Sequence, residues 1–137
     1  MPTYNKLKIY TDGGSRNNPG PAGIGVVIYD EQDKILKTHK EYIGTATNND
    51  AEYRALTKAL NLAGEFTKNE LDIYLDSELV VRQLNGIYKV KEPRMKALFD
   101  EVKVLSMGFK DIRYTHIKRE LNKLADKLVN EAIDEAL

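Results

Sequence analysis

Residues 9–13 are Ile-Tyr-Thr-Asp-Gly, and residues 73–77 are Ile-Tyr-Leu-Asp-Ser. In both segments a strand-like run ends in an aspartate that is followed by a small residue. If the two strands are parallel neighbours, Asp12 and Asp76 lie side by side at the sheet edge where open α/β sheets bind ligands. For either aspartate alone, a simple turn residue is the better explanation. For the matched pair, two explanations stay open: two separate turn residues, or two aspartates of one ligand-binding site.

The rest of the chain supplies the elements that such a sheet needs. Apolar alternation predicts strands at 6–12, 24–29, 35–43, 71–76 and 112–117. Helical spacing predicts helices at 48–63, 78–84 and 121–137, with another opened by Pro93. Residues 13–23 are rich in Gly, Asn and Pro and predict an irregular connection. The order indicates an α/β fold: a mixed sheet covered by helices, with its first and fourth strands parallel and adjacent.

Composition excludes several classes of protein. The 137 residues predict one domain, 1–137, and the absence of cysteine excludes disulfides, thiolate zinc sites and a Cys nucleophile. No apolar run approaches the roughly 18 residues of a membrane helix, and the first residues lack a signal-peptide core, so we expect a cytoplasmic protein. The 21 basic and 21 acidic residues give zero net charge, which disfavours a nucleic-acid partner, although net charge says nothing about how the charges are distributed.

Two further carboxylates lie at unusual positions on predicted helices. Glu52 lies on the apolar stripe of its helix with Ala55, Leu56 and Ala59, where a charge is costly unless a cation compensates it. A salt bridge to a buried Lys or Arg is the alternative. Asp126 lies at the edge of the last helix's apolar face, and alone it is better explained as a solvated residue.

Four carboxylates at one sheet end would repel each other, and bound divalent cations are the usual remedy. With oxygen ligands and no cysteine, the metal should be Mg²⁺ or Mn²⁺ rather than Zn²⁺. Two such ions roughly 4 Å apart form the clamp used for in-line displacement at phosphorus.

The motifs in their order resemble type 1 ribonuclease H, in its compact, archaeal-style form. The resemblance covers nearly the whole chain and is carried by Thr-Asp-Gly-Gly at 11–14, Asn-Pro-Gly-Pro-Ala-Gly at 18–23, Thr-Asn-Asn-Asp-Ala-Glu at 47–52, Asp-Ser at 76–77 and residues 122–126. It implies a five-stranded mixed sheet of order 3-2-1-4-5 with strand 2 antiparallel. It also implies hydrolysis of the RNA strand of RNA/DNA hybrids, leaving 5′-phosphate and 3′-hydroxyl ends.

The same resemblance implies a metal-dependent mechanism. Asp12, Glu52, Asp76 and Asp126 match the family's four metal-binding, catalytic carboxylates. Two Mg²⁺ ions, or Mn²⁺ as a substitute, would activate the attacking water and stabilise the leaving 3′ oxygen. Asp12 would bridge the ions, and no side chain needs to be the nucleophile.

Substrate recognition is implied by position as well. In this family, certain residues approach the hybrid, where 2′-hydroxyls distinguish RNA from DNA. The residues at those positions in this sequence are Gly13, Gly14, Ser15, Asn18, Asn48 and Asn49. Thr47 matches a position that holds a DNA-strand phosphate, and Ser77, Arg119 and Asn122 complete the predicted substrate-binding set. Helix capping explains Asn48 and Asn49 equally well, and both explanations can hold together.

The sequence also departs from many relatives. The loop before the last helix is too short for the mobile His of longer members, and His116 fits a strand position, so we expect Arg119 or Glu120 in its place. Glu78 occupies a position where relatives often have Gln. No full basic protrusion follows Gly86; what remains is a modest basic patch, or a solvated helix start, at Lys89, Lys91, Arg94 and Lys96.

These inferences predict a monomeric nuclease whose partner is an RNA/DNA hybrid, with no membrane partner. Two alternatives stay open: a binding module that has lost catalysis, and a related nuclease acting on double-stranded RNA or DNA junctions. Two bound Mg²⁺ would bring the net charge to about +4, so a balanced composition does not exclude a nucleic-acid partner. We expect binding to weaken with salt, with a shallow slope.

Overall fold

The computed structural model describes residues 4–137, which form five strands and four α-helices. The strands are β1 Lys6–Ser15, β2 Gly20–Tyr29, β3 Ile35–Ala46, β4 Glu70–Leu75 and β5 Asp111–His116. The helices are α1 Asn48–Ala63, α2 Glu78–Leu84, α3 Pro93–Ser106 and α4 Lys123–Ala136, with a short 3-10 helix, Arg119–Leu121, before α4.

The strands form one mixed sheet of order β3-β2-β1-β4-β5. β2 is antiparallel to both β1 and β3, whereas β1, β4 and β5 run parallel. The pairing of Ile9 with Ile73 and of Tyr10 with Tyr74 aligns the two segments that end in aspartate. The predicted mixed sheet, its strand order and the parallel placement of the first and fourth strands are therefore confirmed.

The core lies mainly between the sheet and α1. Alternate residues of β1, beginning with Leu7 and Ile9, are fully buried against Leu56 and Leu60 of α1. Burial of each such side chain contributes about 1.5–3 kcal/mol. On the opposite face, α4 covers β2, so the sheet edge that carries Asp12 lies between two helices.

The prediction of an irregular connection over residues 13–23 was wrong at both ends, because β1 continues to Ser15 and β2 already begins at Gly20. The glycines serve close packing here: a Cβ on Gly13 would lie 2.6 Å from the Glu52 backbone nitrogen, and one on Gly25 would overlap the Ala125 carbonyl of α4. They let two helices approach the sheet closely.

The remaining element bounds differ from the predictions by small amounts. The predictions for α1 and α2 are confirmed, and Pro93 opens α3 as expected. The last helix begins at Lys123 rather than at residue 121, because the 3-10 turn precedes it. Asp76 follows β4 instead of ending it. Within residues 4–137, every helix is too short or too polar to cross a lipid bilayer.

Candidate active site

Asp12 and Asp76 lie close together at the carboxyl end of the parallel strands β1 and β4. Asp12 lies near the carboxyl end of β1, and Asp76 follows the last residue of β4. One carboxylate oxygen from each of Asp12, Glu52 and Asp76 lies within 4.8 Å of the other two. The expectation that Asp12 and Asp76 lie side by side is therefore confirmed, and the Glu52 carboxylate lies close to both.

Glu52 reaches this cluster from α1 and is only 5% exposed. Its Oε1 accepts a hydrogen bond of 3.2 Å from the Gly13 N–H, whereas Oε2 is buried without a hydrogen-bond partner. In the part of the chain that the structure describes, no Lys or Arg nitrogen lies within 4.0 Å of this carboxylate; Lys58, on the same helix, contacts Glu41 at 3.6 Å. The alternative of a compensating salt bridge was wrong.

The cluster strongly disfavours negative charge. Burial, and then the nearby Asp76 carboxylate, raise the pKa of Asp12 to about 8. Burial, followed by the charge of Asp12, likewise holds the pKa of Glu52 well above its ordinary value. The oxygens are brought together at an energetic cost that a bound divalent cation would offset.

Asp126 lies beside the cluster rather than within it. It belongs to the first turn of α4, is near enough to Asp12 to contribute to that residue's raised pKa, and keeps about a third of its side chain exposed. Arg119 Nη2 lies 3.7 Å from Asp126 Oδ1, and the Arg119 side chain is largely exposed. Among residues 4–137, Asp126 is thus the one carboxylate of the four with a Lys or Arg nitrogen within 4.0 Å.

The carboxylates face an open cleft of about 410 Å³, which we call the acidic cleft. It is lined by Asp12, Gly13, Gly14, Ser15, Arg16, Asn48, Asn49, Glu52, Asp76, Ser77, Arg119, Asp126, Val129, Asn130 and Ile133. All four predicted carboxylates line it, as do seven of the ten predicted substrate-binding residues: Gly13, Gly14, Ser15, Asn48, Asn49, Ser77 and Arg119.

Sequence reasoning missed other residues of the cleft wall, including Arg16 and Asn130. Arg16 binds α4 by an ion pair to Asp134 at 2.7 Å and reaches Asn130 at 3.3 Å. Asn130 lies one helical turn after Asp126, and its side chain donates to the Asp126 carbonyl. That helical spacing is the signal that could have identified Asn130.

Asn18 and Thr47, two other predicted substrate-binding residues, lie in a neighbouring groove of about 540 Å³, the second groove. Asn49 lines both depressions. The second groove is lined by Asn18, Thr47, Asn49, Asp50, Leu79, Gln83, Val90, Lys91, Glu92, Arg94 and Met95. The tenth, Asn122, is 1% exposed and is not among the residues that line the acidic cleft; it borders a separate depression of about 320 Å³ together with Tyr10, Leu124 and Ala125.

An ion pair between a buried aspartate and an exposed arginine lies in the second groove. Asp50, at the start of α1, is 2% exposed, and its Oδ2 lies 3.1 Å from Nη2 of the exposed Arg94 on α3. Thr47 Oγ1 accepts a hydrogen bond from the Asp50 N–H, so Thr47 caps this helix and the interpretation of Asn48 and Asn49 as capping residues was wrong. Asn48 does not cap; its Oδ1 accepts from the Ser15 N–H at 2.8 Å and fixes β1 to α1.

Comparison with known proteins gives a consistent family assignment. Residues 10–132 match the family model described as reverse transcriptase-like. The solved structure of LC11-RNase H1 in complex with an RNA/DNA hybrid is 50% identical and superposes with a TM-score of 0.91, over 95% of this chain and 98% of that one. RNase H1 from the halophilic archaeon Halobacterium salinarum is 39% identical with a TM-score of 0.92, over 95% and 98% of the two chains.

The chain belongs to the type 1 ribonuclease H family. Among curated sequences, ribonuclease HI of Halobacterium salinarum is 40% identical over 96% of this chain, and a bifunctional protein of Mycobacterium tuberculosis is 42% identical over 96%. The chain spans 66% of the length of the first relative and 36% of the second.

Two departures from other ribonuclease H sequences have a clear structural setting. His116 is the last residue of β5 and pairs with Leu75, so its interpretation as a strand residue is confirmed. Glu78 opens α2 and lies 3.7 Å from Arg82 one turn later, and it is not among the residues that line the acidic cleft.

The cluster suits the divalent cation that ribonuclease H enzymes require. Its donors are carboxylate oxygens, the ligands preferred by hard cations. Glu52 Oε2, buried and unpartnered, is an oxygen that a metal would satisfy. The acidic triad of Asp12, Glu52 and Asp76 could therefore hold a metal ion.

Proposed function

We propose that this chain is an endonuclease that hydrolyses the RNA strand of RNA/DNA hybrids, leaving 5′-phosphate and 3′-hydroxyl ends. The observation that carries the proposal is the cluster of three uncompensated carboxylates at the base of an open cleft. The relative LC11-RNase H1, 50% identical, was solved with an RNA/DNA hybrid, which supports the choice of substrate.

We assign Mg²⁺ as the working cation and Mn²⁺ as its substitute, held by Asp12, Glu52 and Asp76 with Asp126 completing the set. The chemistry that two such cations supply when bound is activation of the attacking water and stabilisation of the leaving 3′ oxygen. The chain's own contribution is to hold the oxygens together before substrate arrives. Gly13 does this for Glu52 through its N–H, and the parallel strands do it for the two aspartates.

Recognition of the RNA strand would fall to the amides at the start of α1. Because Asn48 Oδ1 accepts from Ser15, its side-chain N–H groups point away from that bond and are available to a 2′-hydroxyl oxygen. Asn49, between the two depressions, would contact the hybrid at the same level. A DNA strand lacks the hydroxyl and would leave these donors without a partner.

The second groove would hold the backbone of the strand that is not cut. Thr47 keeps a hydroxyl hydrogen available after accepting from Asp50, and the groove carries two basic side chains, Lys91 and Arg94, against two acidic ones, Asp50 and Glu92. Arg119, exposed at the mouth of the acidic cleft, would contact a phosphate on the cleaved strand in the position that longer relatives give to His.

The decisive experiment compares cleavage of an end-labelled RNA/DNA hybrid, an RNA duplex and a DNA duplex in Mg²⁺ and in Mn²⁺, with Asp12→Asn as the inactive control. We expect internal cuts only in the RNA of the hybrid. Hybrid binding without turnover in either metal would instead identify a binding module. Equal cleavage of the RNA duplex would identify a broader ribonuclease.

A further inference from the structure

Asn122 lies beside the acidic cleft and contacts Asp76, one of the residues that line it. Its side chain is 1% exposed, and its Nδ2 donates two hydrogen bonds, to the Thr11 carbonyl at 2.8 Å and to Asp76 Oδ2 at 3.2 Å. The backbone carbonyl of Asn122 accepts a hydrogen bond from the Asp126 N–H at 3.1 Å. One residue therefore contacts the strand that carries Asp12, the Asp76 side chain and the first turn of α4.

Asn122 is the N-cap residue of α4 by position, and the ordinary explanation for an asparagine there is a capping hydrogen bond from its side chain, which is absent here. Its Oδ1 is buried and has no hydrogen-bond partner, which costs free energy that an apolar residue would not cost. The side chain is accordingly explained by what its N–H groups donate to.

Asp76 needs such a donor. The ladder between β1 and β4 ends at Tyr10 and Tyr74, and Asp76 lies beyond the last residue of β4. Among residues 4–137, the Asn122 amide is the hydrogen-bond donor that contacts the Asp76 carboxylate. Without it, that carboxylate would be free to rotate about its side-chain torsions.

We propose that Asn122 is a positioning residue: through Thr11 and Asp76 it fixes the carboxylates of the two strands relative to α4, and it does not contact the substrate. This inference rests on the proposed function, in which Asp76 holds a cation. It replaces the expectation, drawn from sequence resemblance, that Asn122 binds the hybrid. Partners of this kind, which orient a metal ligand, typically contribute a factor of about 10–100 in metal affinity or turnover.

The test uses Asn122→Ala together with Asn122→Asp, which keeps the side chain's shape and places an oxygen where the donor was. The control is Asn69→Ala, which also removes an amide donor to a backbone carbonyl, that of Tyr4, at the opposite end of the parallel strands. Each variant is assayed for kcat and KM on a labelled hybrid, for Mn²⁺ binding by calorimetry without substrate, and for thermal unfolding.

We expect Asn122→Ala to lower kcat by about 10–100-fold and to weaken Mn²⁺ binding by about tenfold, with KM for the hybrid within about twofold. Asn122→Asp should lower kcat at least as much, because its oxygen faces Asp76 Oδ2. Asn69→Ala should lower the melting temperature without changing kcat or metal binding.

Three results would overturn the proposal. A rise in KM with kcat unchanged would identify a substrate contact, and values of kcat and Mn²⁺ affinity both near those of the wild type would show that Asn122 has no positioning role. Loss of folding in both Asn122 variants would identify a purely structural residue. If the wild-type chain cuts no hybrid, the proposed function fails, and the Mn²⁺ measurement still decides the role of Asn122.

Discussion

The acidic cleft and the second groove lie on either side of Asn49, and both contain buried carboxylates. They differ in whether a basic side chain lies next to those carboxylates. In the second groove, buried Asp50 lies 3.1 Å from the guanidinium of Arg94. In the acidic cleft, Asp12, Glu52 and Asp76 have no Lys or Arg nitrogen within 4.0 Å among residues 4–137, and the pKa of Asp12 is raised to about 8.

This difference separates a structural carboxylate from a functional one. A buried charge with a partner of opposite sign fixes two elements, here α1 and α3, and has little reason to bind an ion. A group of buried charges without a partner is unfavourable unless something else supplies the positive charge. The following experiments test whether the contrast is as sharp as the contacts indicate.

The largest effect should come from removing one of the uncompensated carboxylates. Asp12→Asn is expected to lower the rate of hybrid cleavage by at least 10²–10³-fold, on the order of the loss of a directly acting group, because Asp12 interacts with all three of the other carboxylates. Single-turnover cleavage in Mg²⁺ measures this. If Asp50→Asn, which alters the carboxylate paired with Arg94, lowered the cleavage rate as strongly as Asp12→Asn, the proposed difference between the acidic cleft and the second groove would be wrong.

The pH dependence of stability should differ between wild type and this variant. Between about pH 4 and pH 8 the folded, metal-free protein keeps a proton on Asp12 that the unfolded chain has already released, because the pKa of Asp12 rises from 3.8 to about 8 on folding. Stability should therefore fall as pH rises through this window, by up to roughly 1.4 kcal/mol per pH unit for each such proton.

Urea unfolding at several pH values, with and without Mg²⁺, measures this dependence. Mg²⁺ should restore stability at pH 8, and Asp12→Asn should make the metal-free protein more stable there than the wild type. A metal-free wild type whose stability increases from pH 5 to pH 8 would contradict the uncompensated state of the cleft.

Alanine substitutions at the neighbouring Gly13 and Gly14 test how closely the backbone packs at the acidic cleft. A Cβ at position 13 would lie 2.6 Å from the Glu52 nitrogen, whereas one at Gly14 would meet its nearest atom only at 3.8 Å. Gly13→Ala should therefore destabilise the fold by about 1–3 kcal/mol, and Gly14→Ala should change stability by less than about 0.5 kcal/mol. Thermal unfolding distinguishes them; equal effects would show that space at Gly13 is not limiting.

The smallest effect is expected in the second groove. Arg94 is 70% exposed, so its pair with Asp50 should contribute no more than about 1 kcal/mol to stability. Arg94→Ala should raise KM for the hybrid about 3–10-fold at constant kcat and reduce the salt dependence of binding by about one unit of slope. The control is Lys96→Ala, which pairs with Asp100 on the outer face of α3; a similar KM increase there would argue against a specific groove.

The sequence predicted the parts of this molecule that depend on local pattern. The helical spacing of Ala55, Leu56 and Ala59 gave α1 its bounds, and the repeated strand ends gave the meeting of Asp12 with Asp76. Glu52 could be recognised because a carboxylate on an apolar stripe is unusual regardless of what packs against it.

The errors arose where distant segments decide the outcome. Glycine favours turns, but it also permits close contact, and only the approach of Glu52, 39 residues away, reveals which applies at Gly13. The pair of Asp50 with Arg94 and the burial of Asn122 depend in the same way on helices that pack after the local elements are defined. No spacing rule within a single segment identifies such contacts.

The placement of Asp126 has a consequence for how the protein is made. Three of the carboxylates lie in β1, in α1 and directly after β4, but the fourth belongs to α4, which comes after all three along the chain. During translation, a nascent chain that has not yet released residues beyond Lys123 into solution lacks Asp126 and can present at most the other three carboxylates. The proposed set of four is therefore complete only after α4 has been synthesised and has packed against the sheet.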